Sequence, residues 1–271
     1  MKKIHIISSM TLCLVIVTAS GCQIAQEKPV RSDALYQVSL LNGLMLGDYD
    51  GSVSVGALQR LGDTGIGTFN ELDGELIMID GKTYKAKSDG SVELQPDSET
   101  VPFAIVTFFD NDIVSRNLAD LKDIEALKKT LDQVIVEEKG DFNRFYIASI
   151  EGTFSSVHVR SVPSQTKPYK PLAEITKTQT EFNYENVEGT IIALRCPDYV
   201  SGINLPGWHL HFISKDRTKG GHLLDADLIG AVLSMDKISE FQLMLPETEA
   251  FAKLNLTQNL NSDTNNVESK K

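Results

Sequence analysis

Short apolar or alternating runs, separated by polar and glycine-containing turns, fill most of this chain. Successive side chains of a strand project to opposite faces, so the alternation over residues 36–40 predicts a strand, and residues 65–69, 75–79 and 82–86 read as further short strands. Asp73-Gly74 and Asp80-Gly81 separate the later runs, and such pairs favour tight hairpin turns because both central residues accept positive φ. Residues 103–109 are apolar enough for a buried strand, and Pro102 stands just ahead of it, where a missing backbone donor is tolerated. Further strands are predicted at 145–150, 153–162, 189–194, 208–213, 221–227, 229–233 and 240–245. The helical period shows only briefly. Val53, Leu58 and Leu61 predict a short helix over 52–61. Leu118, Leu121, Ile124, Leu127 and Leu131 predict an amphipathic one over 117–134, and shorter helices are expected at 172–182 and 247–254. This balance predicts an α+β protein with two β-sheet-rich subdomains and a few short helices. Prolines at 163, 168 and 171 mark a change of segment, so the N-terminal subdomain is expected over 36–165 and the C-terminal one over 166–271. Residues 257–271 are rich in asparagine and serine, and composition alone predicts a disordered tail.

Ahead of the folded part, Lys2 and Lys3 precede an apolar stretch over 12–19 that is too short to span a membrane, and small residues follow it. Residues 1–21 therefore predict an export signal peptide. Ala19-Ser20-Gly21-Cys22 resembles a bacterial lipobox, in which the cysteine becomes the lipidated first residue, with Ala19 in place of the usual leucine. Ordinary secretion after cleavage near the same place is the alternative. Residues 22–35 are mostly polar, as expected of a tether. The protein is thus expected on the outer face of a bacterial cytoplasmic membrane, held only through a lipid on Cys22, or else secreted. With Cys13 in the leader and Cys22 carrying lipid, Cys196 stands alone and no disulfide can form in the mature chain. The formal charge is −11, and no basic stripe with interleaved aromatics offsets it, which argues against a nucleic-acid partner.

The chemistry lies in Trp208-His209-Leu210-His211-Phe212 and Gly221-His222, which gather three of the four histidines beyond the leader. His209 and His211 share one face of a strand, while Leu210 and Phe212 take the other. The polar, glycine-closed segment 215–221 can reverse the chain and bring His222 alongside them, which puts a metal site on a β-hairpin of the C-terminal part. Three neutral imidazoles suit zinc, copper, iron or nickel and leave a coordination position open for water or substrate, the pattern of a catalytic site. The competing reading is a hairpin that carries surface histidines. Glu75 follows the Asp73-Gly74 turn and points opposite to Leu76, into a cleft or into solvent. Arg160 lies on the strand face away from Val157 and Val159, and spacing alone makes Arg195 as good a candidate.

Four segments resemble the alpha-acetolactate decarboxylase family: Leu41-Asn42-Gly43-Leu44 through Asp50-Gly51, Gly65-Ile66-Gly67-Thr68 through Glu75-Leu76, Gly207-Trp208-His209-Leu210-His211-Phe212, and Gly220-Gly221-His222-Leu223-Leu224-Asp225. The likeness runs from about Tyr36 to the C-terminus. It implies a zinc enzyme that converts 2-acetolactate, a small 2-hydroxy-3-oxo acid, to acetoin and carbon dioxide through a metal-stabilised enediolate. His209, His211 and His222 match the family's metal ligands. Glu75, Arg160 and Glu268 match its active-site acids and arginine, and Thr68 is a further match. The resemblance also implies a homodimer and a tail folded back over the metal, against the disorder that composition predicts. A zinc hydrolase and a zinc-capturing surface lipoprotein are the alternatives, although the chain lacks the additional histidine-rich tracts such a lipoprotein often carries.

Overall fold

Backbone ladders organise most of the computed structural model, which describes residues 33–268. The leader, Cys22 and most of the expected tether lie outside the described residues. The first half of the chain contributes β1 (Ala34–Val38), α1 (Leu41–Met45), β2 (Val53–Ser54), α2 (Val55–Leu58), β3 (Thr64–Thr68), β4 (Glu75–Ile79), β5 (Lys82–Ala86), β6 (Val92–Leu94), β7 (Thr100–Val101), β8 (Phe103–Thr107), β9 (Ile113–Leu118) and α3 (Ile124–Glu137). The second half contributes β10 (Phe145–Ser161), α4 (Leu172–Ile175), β11 (Thr180–Cys196), β12 (Gly207–Ser214), β13 (Gly220–Ile238), β14 (Glu240–Met244), α5 (Glu249–Ala252) and α6 (Asn261–Glu268). Seven strands form one sheet in the order β14-β1-β8-β3-β4-β5-β6. In the other, β10, β11, β12 and β13 pair in sequence and β10 also pairs with β13, so the ladder closes on itself, with β9 added outside β13. Closure leaves those four strands with few exposed edges. This is an α+β fold.

Side-chain alternation explains where the core sits. Ile77 packs with Leu35, Ile66 and Ile105 against Ile147, Ile192 and Leu194 of the closed sheet, so this cluster joins the two sheets. Its neighbours Leu76 and Met78 turn the other way and pack with Val55 and Leu58 of α2. On β11, Ile191 and Ala193 likewise face away from Ile192 and Leu194, joining Phe154, Phe212 and the α3 residues Leu127 and Leu131. One strand therefore serves two cores.

Several expected boundaries move, each for a visible reason. The runs at 145–150 and 153–162 are one strand, β10, and those at 221–227 and 229–233 are one strand, β13. Exposed residues such as Glu151 and Thr153 sit in the middle of these long pairings, where backbone hydrogen bonds rather than apolar side chains keep the chain extended. The helix predicted over 117–134 starts at Ile124, because Asp123 caps it by accepting the Ala126 N–H at 2.7 Å. Asn117 and Leu118 instead pair with Val232 and Ala231 as part of β9. The helix expected over 172–182 stops early, since Thr180 already pairs with Ser161. The boundary expected at residue 165 falls within one unit, Ser32–Lys271, and sheet membership crosses it in both directions: β9 and β10 join the closed sheet, and β14 joins the first.

The tail is not disordered throughout. Residues 261–268 form α6, with Thr264 and Val267 buried and Val267 packed into the cluster between the sheets. Asn42 holds the approach to it, donating through Nδ2 to the Leu256 and Gln258 carbonyls at 3.0 and 3.3 Å. Composition misses this because two buried side chains and a few carbonyl contacts suffice to order a polar segment.

Candidate metal centre

On β12, Leu210 and Phe212 are buried in the core that α3 covers, which leaves His209 and His211 on the opposite face. The turn after Ser214 is closed by its own polar residues, with Ser214 Oγ donating to Asp216 and accepting from the Lys219 N–H. That turn sets His211 directly opposite His222. Gly221 is required here. Its φ is +150°, and a Cβ at this position would lie 2.6 Å from the Arg160 carbonyl oxygen of β10. Close passage of β10 in turn pairs Arg160 with His222 across the ladder.

The three rings converge. His209 Nε2 lies 3.1 Å from His222 Nδ1 and 3.2 Å from His211 Nε2. Among the described residues these three form the only group of three or more such ligands whose donor atoms all lie within 4.8 Å of one another. His211 Nδ1 is 2.9 Å from the Leu76 carbonyl oxygen, which can only accept, so that nitrogen carries the proton and Nε2 presents a lone pair. Burial holds His209 down at about 3 and holds His211 and His222 well below the ordinary histidine value, and the Arg160 cation adds to this at all three. Neutral rings are what a metal needs.

The donor set fits a metal ion. His211 Nε2 has no proton to give, so a hydrogen bond between it and His209 must come from His209. A single His209 proton cannot at the same time be directed to His222. One cation satisfies all three lone pairs, and a tetrahedral ion with nitrogen ligands at about 2.0–2.1 Å spaces them by roughly 3.3 Å, close to the separations observed.

Glu75 and Arg160 belong to the same site. Gly74 has φ +83°, and a Cβ there would meet the Ala86 carbonyl oxygen at 2.5 Å, so only glycine turns the chain into β4 at this point. Thr68 Oγ donates to the Gly74 carbonyl at 2.7 Å and pairs with Glu75 across the ladder. Lys85 holds Asp73 at 2.8 Å. Glu75 emerges buried, with Oε2 3.7 Å from His211 Nε2 and Oε1 3.4 Å from Arg160 Nη1. Alternation alone allowed a solvent-facing Glu75, and the packing of the second sheet over it decides otherwise. These residues and Thr68 share with the histidines a cavity of about 40 Å³, walled by Leu72, Phe103 and Leu172. Apolar side chains of this kind give no sequence signal that separates them from ordinary core.

Arg195 lies elsewhere. Its guanidinium donates to Asp132 of α3 at 3.3 Å and stacks over Phe142 at 4.3 Å, and Asp132 also accepts from Trp208 Nε1 at 2.8 Å. Arg195 thus fixes α3 to the closed sheet. The β12–β13 ladder ends at the His211–His222 pair, and α3 flanks the gap beyond it. A cleft of about 920 Å³, lined by Lys128, Asp132 and Trp208, reaches His209 and His222 there. Glu268 ends α6, but its side chain lies outside what the structure describes.

The sequence model of a family described as alpha-acetolactate decarboxylase matches residues 35–258, a span that includes the histidines, Glu75 and Arg160 and stops short of Glu268. The chain is 43% identical over 242 residues to an alpha-acetolactate decarboxylase of Methanosarcina mazei, covering 88% of this chain and 81% of that one. It is 40% identical over 243 residues to the Brevibacillus brevis protein of the same name, covering 90% and 84%. The crystal structure of alpha-acetolactate decarboxylase from Bacillus subtilis strain 168 superposes with a TM-score of 0.83 at 36% identity, covering 88% of this chain and 100% of that one. With a sequence match across most of its length and the same fold as a solved relative, the chain belongs to the alpha-acetolactate decarboxylase family and is an enzyme of the carboxy-lyase class.

Proposed function

We propose that the protein decarboxylates 2-acetolactate to acetoin with zinc as its metal, held by His209, His211 and His222. The observation that carries this reading is the enclosure of three neutral imidazoles, one carboxylate and one guanidinium in a single buried cavity. Zinc bound there supplies a Lewis acid for the negative charge that develops on the substrate's oxygens. Loss of carbon dioxide breaks the bond to the carboxylate and leaves its electron pair as an enediolate. A proton must then reach the carbon that lost the carboxylate. Glu75 stands within the cavity to hold or deliver that proton at its carboxyl, and delivery from one side makes the acetoin chiral. Arg160, 3.4 Å from Glu75, orients the anionic substrate and accelerates the reaction only to the extent that its contacts strengthen as charge moves onto the ketone oxygen. Glu268, carried on α6, would close the cavity from the tail.

The leader and the Ala19-Ser20-Gly21-Cys22 tetrad support export with lipid attachment at Cys22, and the family resemblance supports a homodimer. The deciding experiment gives purified zinc-loaded protein racemic acetolactate and follows carbon dioxide and the chirality of the acetoin. One enantiomer of acetoin in excess is expected. Zinc-loaded, folded protein that forms no acetoin overturns the reading, and ester or peptide hydrolysis in its place would assign a hydrolase.

A further inference from the structure

The three histidines are not equally supported by the strands that carry them. His211 is paired on both sides, with Ile192 of β11 and His222 of β13, and His222 is paired with His211 and with Arg160 of β10. His209 pairs with Leu194 of β11, but the β12–β13 ladder begins only at His211. Residues 207–210 are therefore laddered along one edge. His209 is also the least enclosed of the three, and with His222 it lines the open cleft beside α3. That helix spans the gap. At its start the Ile124 N–H donates to Asp225 Oδ1 of β13 at 3.0 Å, and Leu121 just before it bridges Leu228. About two turns on, Asp132 Oδ1 accepts Trp208 Nε1 of β12 at 2.8 Å and Arg195 Nε of β11 at 3.3 Å. Arg195 and Trp208 are ladder partners, so their side chains share a face and meet the same carboxylate. Trp208 and Leu210 also pack with Leu127 and Leu131 of α3. The helix thus ties the strand of His209 to the strand of His222 where their own ladder has stopped.

We propose that Asp132 is a positioning residue for the metal centre, which through Trp208 Nε1 stands in for the missing β12–β13 ladder and fixes His209 for the ion. The role presupposes the zinc held by the histidine trio, as proposed above. Indole has one proton to donate, and Trp208 is buried, so this one hydrogen bond sets where the side chain next to His209 sits. Without it, residues 207–210 keep only their pairing with β11 and the packing of Trp208 and Leu210. The chain then carries His209 in and out of register with the other two rings, and a zinc ion that loses one of three protein ligands escapes faster. Contacts one step removed from a metal ligand typically alter affinity by about 10–100-fold.

The test follows the rate at which zinc leaves the loaded, full-length protein for an excess of chromogenic chelator. Asp132→Ala and Trp208→Phe should each speed the loss by about 10-fold. The double variant should be no faster than Asp132→Ala, because both changes remove the same hydrogen bond. Asp132→Asn keeps an acceptor oxygen and should restore most of the natural rate. Trp208 is the only tryptophan of the chain, so a shift of its fluorescence in Asp132→Ala reports the broken contact directly. The Asp132 side chain is 43% exposed and Phe keeps a ring at 208, so each variant is expected to fold; should one fail, the other decides. Zinc loss at the natural rate from the folded variants overturns the proposal and leaves Asp132 as an anchor of α3 alone. Rates that multiply in the double variant overturn it as well. A natural chain that takes up no zinc, or a His209→Ala variant that releases it at the natural rate, instead defeats the histidine reading, and the role of Asp132 falls with it.

Discussion

The outer nitrogen of His211 is held by a backbone carbonyl, that of Leu76 at 2.9 Å. The lone pair it presents is therefore fixed before any ion arrives. His209→Ala, His211→Ala and His222→Ala are each expected to remove most bound metal and to lower activity by more than about 100-fold, beyond the effect of changes around ligands rather than in them. Elemental analysis decides: a variant that keeps a full complement of metal removes that histidine from the ligand set. The same burial makes the metal-free protein sensitive to acid. Each imidazole's folded value lies below its unfolded value of about 6.5, so the unfolded chain binds more protons there. Stability is then fully present above about 6.5 and is lost as pH falls toward the folded values, about 3 at His209. The Tm of metal-free protein should drop between pH 6.5 and 5, and the drop should shrink in the His209→Ala/His222→Ala double variant; an equal drop in both would place the acid sensitivity elsewhere. At this scale the histidines were legible from spacing because i and i+2 share a strand face. Glu75 and Arg160 were not, since which face of a strand is buried depends on the sheet that packs over it.

Among the elements, α6 carries the sharpest conflict between composition and structure. Its sequence is polar, yet Val267 reaches the core between the sheets. Truncation after Asn259 should leave the content of bound metal near that of the intact protein, because the three histidines remain, while turnover falls by about 100-fold if Glu268 serves as an active-site acid. Glu268→Gln should act in the same direction, and removal of residues 269–271 should matter little. Full activity of the truncated protein would return α6 to a purely structural part. The strands were legible where Asp-Gly turns bound a short run, as in β4 and β5, whose predicted and observed bounds coincide. Where long ladders run past the core, as in β10 and β13, side-chain polarity interrupts the pattern although the backbone stays paired. The start of α3 was missed because a cap and a neighbouring strand, rather than apolar spacing, set it.

At the scale of the whole molecule, the two sheets draw on both halves of the chain, and only pairing across hundreds of residues could have revealed this. Every described residue that lines the metal cavity lies at Leu41 or later, so the lipid attachment proposed at Cys22 is expected to be independent of the chemistry. Cys22→Ala should release the protein from membranes with kcat and KM unchanged, and unchanged membrane partitioning with an unchanged N-terminal mass would rule out lipid at that residue. The Leu76–His211 hydrogen bond has a wider consequence, because its two ends belong to different sheets. Parting of the sheets would strip His211 of the contact that keeps its Nε2 bare, so the docking of the two sheets and the readiness of this ring to take an ion are one event.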